Sequence, residues 1–152
     1  MKTAGKSTIN IRRLTHGDID PVVAIWWSPI IYKEKEMIAS NIRGNLDLSF
    51  VAEAEGLLVG FILARAEYQG IPIEKVCVIH ALAVKPEYQK QGIGGLLIKE
   101  LKSQCASKEI LKMRALVPQD SKELMKYLEQ LGFSHSNIIN LDLLSESRAK
   151  DS

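Results

Sequence analysis

The stretch from Val76 to Leu97 constrains this chain more than any other. Val76-Cys77-Val78-Ile79-His80-Ala81-Leu82-Ala83-Val84 is an apolar run of strand length. Lys85-Pro86-Glu87-Tyr88 follows as a turn, then Gln89-Lys90-Gln91-Gly92-Ile93-Gly94-Gly95 leads into a segment with apolar residues at helical spacing. A buried strand, a glycine-bearing loop and an amphipathic helix in that order point several backbone N–H groups outward at the positive end of a helix dipole. That arrangement suits phosphate.

The flanking segments complete the pattern of a mixed sheet. Residues 9–14 alternate as a first strand, and Asp20-Pro21 opens a helix that turns Val22, Val23, Ile25 and Trp26 inward. A second helix is expected over residues 33–41, with Met37 and Ile38 buried. Residues 48–54 and 57–66 form a hairpin about Glu55-Gly56, and a turn at residues 69–72 precedes the long strand. The helix from Gly92 to about Cys105 buries Ile93, Leu96, Leu97, Leu101 and Cys105. A short strand at 113–117 follows. Asp120 and Glu123 have capping-box spacing ahead of a helix with Leu124, Leu128 and Leu131 on its core face, ended by Gly132. Phe133 and residues 138–144 supply the last strand. The expectation is a single α/β domain over residues 9–144, a mixed sheet in three α/β/α layers, with a flexible lead-in at 1–8 and a polar tail at 145–152.

Composition narrows the function classes. The chain has 152 residues, 46% hydrophobic and 25% charged, enough for one continuous core without disulfide or metal. A net charge of +2 gives no reason to expect nucleic acid or an anionic membrane as partner. Cys77 and Cys105 have no metal-ligand spacing and read as buried free thiols of a reducing compartment. No basic-then-apolar leader and no membrane-length apolar run is present, so the cytoplasm is the expected location.

The glycine loop discriminates among phosphate ligands. It lacks the Gly-Lys-Ser/Thr of nucleotide hydrolases and the three-glycine spacing of dinucleotide folds. A glycine-rich helix start without a ligand stays open on the loop alone. Gln89-x-x-Gly92-x-Gly94, however, resembles the acetyl-CoA signature Gln/Arg-x-x-Gly-x-Gly/Ala of the GCN5-related N-acetyltransferase (GNAT) superfamily. Leu82-Ala83-Val84, the Pro86-Glu87-Tyr88 turn, the later Leu131-Gly132-Phe133 and the element order are similar as well. The resemblance implies acetyl-CoA bound by Leu82, Ala83, Val84, Gln89, Lys90, Gln91, Gly92, Ile93, Gly94, Gly95 and Ser121, and no metal. It also implies a central strand splayed from the next, so that freed backbone pairs with the pantetheine arm.

Acetyl transfer needs a neutral amine, a polarised carbonyl and a proton for the thiolate. An alkyl amine of pKa about 10.4 is neutral in roughly one molecule in 2,500 at pH 7, so a base is required. His80 is the candidate: it lies two residues before Leu82, which on an ideal strand gives both side chains one face. The string His80–Val84 is similar to the central strand of arylalkylamine (serotonin) N-acetyltransferases, although Val78 stands where those enzymes carry a second histidine. Tyr127 is the candidate acid. The family's tyrosine place is occupied by Leu128, one residue on, and the asparagine place by Ser121.

Trp26, Trp27, Pro29, Ile30, Ile31 and Tyr32 suggest an apolar acceptor wall, and the short C-terminal segment suggests an open cleft. The expected function is an N-acetyltransferase moving acetyl from acetyl-CoA to a primary amine, whether a small amine, a peptide N-terminus or lysine. The alternative is a catalytically weak acyl-CoA-binding sensor or assembly protein, favoured by Leu128. Relatives often form dimers, which makes a homodimer a candidate assembly.

Overall fold

The structure is a computed structural model that describes residues 8–25, 36, 39–40, 44 and 46–145. The proposed acceptor wall from Trp26 to Tyr32 and most of the expected second helix lie outside them, but Glu36, Ala39 and Ser40 are helical. Strands β1 (Ile9–Arg13), β2 (Phe50–Ala54), β3 (Leu57–Gln69), β4 (Glu74–Val84) and β5 (Met113–Ala115) form one sheet in the order β1-β2-β3-β4-β5. The first three junctions are antiparallel and β4–β5 is parallel. Helix α1 (Ile19–Ile25) covers one face; α2 (Ile93–Ser107) covers the other, and α3 (Lys122–Gln130) follows β5.

Two apolar clusters show why the sheet holds helices on both faces. Phe50, Ala52, Ile62, Ala64 and Cys77 point toward Ile93, Leu97, Leu101 and Cys105 of α2. The alternate residues Val51, Phe61 and Leu63 meet Val22 and Ile25 of α1. Period-two alternation in the strands thus feeds both layers. Gly60 lets α2 approach closely, because a Cβ there would come within 3.2 Å of the Ala83 carbonyl and 3.4 Å of Ile93. The hairpin between β2 and β3 turns on Glu55 and Gly56, both at positive φ (51° and 80°) as a two-residue primed turn requires.

Several expectations need correction. The helix entry is built two residues earlier than Asp20-Pro21: Asp18, 7% exposed, accepts from the Thr15 amide at 2.8 Å and from both Arg12 guanidinium nitrogens at 2.9 Å. Arg12, with Asp18's carboxylate beside it, holds that carboxyl below its ordinary range. Ser121 rather than Asp120 precedes α3, and no side-chain cap bond is made there. On α2, Leu96 is 40% exposed and Ile98 is buried instead; on α3, Leu124 is 44% exposed. The C-terminal end of α3 is as expected, with Gly132 at φ 103° and the Phe133 amide bonded to Leu128 O at 3.0 Å.

The sixth strand does not join the sheet. Residues 138–144 carry strand-like alternation but form no ladder. Alternation records which side chains want burial; a strand also needs a neighbouring backbone, and among the described residues that segment pairs with none.

Candidate active site

The site begins where β4 loses its outer neighbour. Cys77, Val78 and Ile79 pair with Met113, Arg114 and Ala115, and the ladder then stops while β4 runs on to Val84. From His80 to Val84 the strand keeps β3 on one side and, among the described residues, no strand on the other. The expected splay between these two strands is present.

A bulge sits at that point of divergence. Leu63 opposes Ala81 and Ala64 opposes Ile79, so His80 is an extra residue on β4. Bulges re-aim side chains and recur beside active sites. Here the bulge reverses the parity of the strand. Cys77 and Ile79 pack on the α2 side before it and Leu82 and Val84 after it, whereas Ala81 and Ala83 face α1. His80 bonds through Nε2 to Glu67 Oε2 at 2.9 Å. Glu67 shares the face of Phe61, Leu63 and α1 by strand alternation. His80 and Leu82 therefore point to opposite faces, contrary to the expectation for an unbroken strand.

The loop after β4 is held from within. A one-turn helix at Pro86–Tyr88 bends the chain, with the Tyr88 amide bonded to Lys85 O and the Gln89 amide to Pro86 O. Gln89 Nε2 donates to the Val84 carbonyl at 2.9 Å, tying the loop to the strand end. Lys90 and Gly92 adopt positive φ, 63° and 82°. Gly92 caps α2 without a side-chain bond, and the first helical bond is Leu96 N–H to Gly92 O at 3.0 Å. The amides of Ile93, Gly94 and Gly95 consequently have no intrahelical acceptor. Three convergent donors at a 15-residue helix, beside the unpaired end of β4, fit a pyrophosphate and an attached amide-bearing arm.

Tyr127 reaches this loop from α3. Its hydroxyl occupies the space that a Cβ at Gly94 would need, and burial raises the phenol's pKa, keeping it a donor. Leu128 is buried at 7% exposure. The structure thus gathers Gln89 with Val84, Tyr127 with Gly94, and His80 with Glu67; Ser121 stands at the start of α3. Glu67 escaped the sequence analysis because 13 residues separate it from His80, and its ladder partner is Val76. Cys77 and Cys105 hydrogen-bond to each other, and this contact, with burial, holds the Cys77 thiol above its ordinary range. Among the described residues no cluster of three or more metal-ligating side chains occurs, and no helix is long and apolar enough to cross a membrane.

A mixed sheet split at a β-bulge, with a glycine loop launching a helix at the split, defines an acyl-CoA-binding α/β domain. Comparison with known families agrees: the acetyltransferase (GNAT) family matches residues 19–133. The chain belongs to that family, and acetyl-CoA is its cosubstrate. Among solved structures, it is similar to the aminoglycoside antibiotic 6'-N-acetyltransferase AAC(6')-Ih from Acinetobacter baumannii, with TM-score 0.77 and 14% identity over 92% of this chain and 100% of that one. AAC(6')-Iy in complex with a bisubstrate analogue gives 0.74 and 16%, covering 91% and 99%. A ribosomal-protein-alanine N-acetyltransferase from Brucella melitensis biovar Abortus 2308 gives 0.71 and 15%, covering 91% and 100%. At such identities the likeness is one of fold.

Proposed function

We propose that the protein transfers acetyl from acetyl-CoA to a primary amine by direct attack, with His80 as the base. The acceptor is a small amine, a peptide N-terminus or a lysine; the names of similar enzymes include aminoglycoside and ribosomal-protein-alanine N-acetyltransferases. One observation carries the proposal: the bulge turns His80 onto the face opposite the glycine loop, at the level where β4 and β5 part. An acceptor entering from the α1 face then meets a base, while the cosubstrate approaches from the α2 side. Bound acetyl-CoA supplies the thioester. The free backbone of Leu82, Ala83 and Val84 pairs with its arm, and an amide near Val84 polarises the carbonyl. The loop from Gln89 through Lys90, Gln91 and Gly92 to Gly95, together with Ser121, binds the rest.

Glu67 completes the base. A carboxylate accepting from Nε2–H fixes the tautomer, so Nδ1 carries the free lone pair and takes the amine proton. Its charge also favours an arriving ammonium. The proton for the thiolate comes from Tyr127 or from water; a fall in kcat for Tyr127→Phe at unchanged KM for acetyl-CoA identifies the phenol.

The alternative, a catalytically weak acyl-CoA-binding protein, is favoured by the burial of Leu128 in the family's tyrosine place. A CoA-release assay over an amine panel separates the two. Turnover that drops about 10²–10⁴-fold in His80→Ala, with acetyl-CoA binding retained, supports the enzyme. Binding without turnover on any amine supports the alternative.

A further inference from the structure

Four polar side chains from three neighbouring strands join in one line of hydrogen bonds. His80 Nε2 bonds to Glu67 Oε2 at 2.9 Å, and the other oxygen of that carboxylate accepts from Gln69 Nε2 at 3.2 Å. Gln69 Oε1 in turn accepts from Arg114 Nη1 at 2.5 Å. Arg114 stands on β5 opposite Val78 and Gln69 on β3 opposite Glu74, so the guanidinium reaches across β4 to close the line.

The direction of every bond in it is forced. A guanidinium only donates, so the amide turns its oxygen to Arg114 and its nitrogen to Glu67. An ionised carboxylate only accepts, so its remaining oxygen takes a proton-bearing nitrogen from His80. A permanent cation at one end thereby decides that Nδ1 is left bare at the other. Glu67 needs this support: its side chain is 37% exposed, where water competes for both oxygens.

Arg114 gains little else from its position. Its side chain is 13% exposed, yet among the described residues its Nη2 is buried without a hydrogen-bond partner, 3.7 Å from Glu74 Oε1. Glu74 already has Lys112 at 2.9 Å. A buried N–H left unbonded costs stability, so what the buried cation achieves is its bond to Gln69.

We propose that Gln69 and Arg114 are positioning residues: they hold the Glu67 carboxylate on His80 and so keep the ring in its Nε2–H form. The catalytic consequence rests on the reading of His80 as the base; the tautomer itself does not.

The test pairs a long-range proton–nitrogen NMR spectrum of His80, taken where the ring is neutral, with CoA-release kinetics on the full chain. The wild type should show the Nε2–H tautomer alone. Gln69→Glu is the most telling change, because it keeps an acceptor for Arg114 and sets a second acceptor, of like charge, against Glu67. That variant, Gln69→Leu and Arg114→Met should each give a mixture of tautomers and lower kcat about tenfold at unchanged KM for acetyl-CoA. Arg114→Lys, again a pure donor, should recover most of the signal that Arg114→Met loses. Because Glu74 keeps Lys112, the urea midpoint of Arg114→Met should hold. A single Nε2–H tautomer in all of the disrupting variants, or a mixture in the wild type, overturns the proposal. Full turnover in His80→Ala would instead remove the base and leave the tautomer result standing.

Discussion

Gly94→Ala is the sharpest probe of how this family's loop is built in this chain. The signature tolerates alanine at that position, and on a bare helix the change should stabilise by about 0.5–1 kcal/mol through lost unfolded-state entropy. Here the new Cβ would fall on the Tyr127 hydroxyl, with the ring's Cζ next at 3.1 Å. The phenol must swing out and forfeit its packing, an overpacking cost of about 1–3 kcal/mol. Net destabilisation of roughly 0–2.5 kcal/mol follows from subtracting the first figure from the second. In a Tyr127→Ala background the obstacle is gone, so the same change should stabilise. The two effects differ by a coupling energy of about 1–3 kcal/mol, read from urea midpoints at constant m in a double-mutant cycle. Equal stabilisation of both backgrounds by Gly94→Ala, with coupling under about 0.5 kcal/mol, would refute the contact.

Further outcomes follow from the same contacts. Gly92→Val puts a β-branched residue at φ 82°, so stability should fall by at least about 1–2 kcal/mol and calorimetric CoA affinity should fall with it. Glu67→Gln should lower kcat at least about tenfold with little change in KM for acetyl-CoA, whereas an equal effect on both would tie Glu67 to folding rather than to the base. Asp18 has a folded pKa below its unfolded value, through its bond to Arg12. Its contribution is therefore complete above about pH 4 and lost as pH falls through the depressed folded value. Asp18→Asn should cost about 2–3 kcal/mol at pH 7 and flatten the acid limb of a stability–pH curve. Cys77 and Cys105, both buried, should resist a thiol reagent in the folded protein and react together only on unfolding.

Much of the architecture was legible in the residues. The glycine loop, the hairpin at Glu55-Gly56 and the Gly132 cap each depend on a backbone conformation that few residues adopt, so their sequence signals are local and sharp. The misplacements were of another kind. Asp18 outcompeted Asp20 because Arg12, six residues back, reaches it across the chain. Leu96 and Ile98 exchanged roles on α2 because the sheet, not the helix, decides which part of an apolar stripe is covered. The strand at 138–144 had the right alternation and lacked the partner, which no local pattern encodes.

The site's central device was hidden for the same reason. A β-bulge is a property of two strands together: β4 carries an extra residue only because β3 carries none between Leu63 and Ala64. Without it, alternation from Ile79 would put Ala81 and Ala83 toward α2 and leave Leu82 and Val84 on the face of α1. With it, Leu82 and Val84 close the core beneath the glycine loop, and His80 bonds Glu67 on the other side. One inserted residue so divides the strand into a donor side and an acceptor side, with its unpaired backbone between them. Removing Ala81 would delete the bulge and set His80 opposite Leu63, still on the α1 face, while Leu82, Ala83 and Val84 keep their partners on β3. Acetyl-CoA affinity should therefore survive that deletion, and its loss together with turnover would refute this reading of the register.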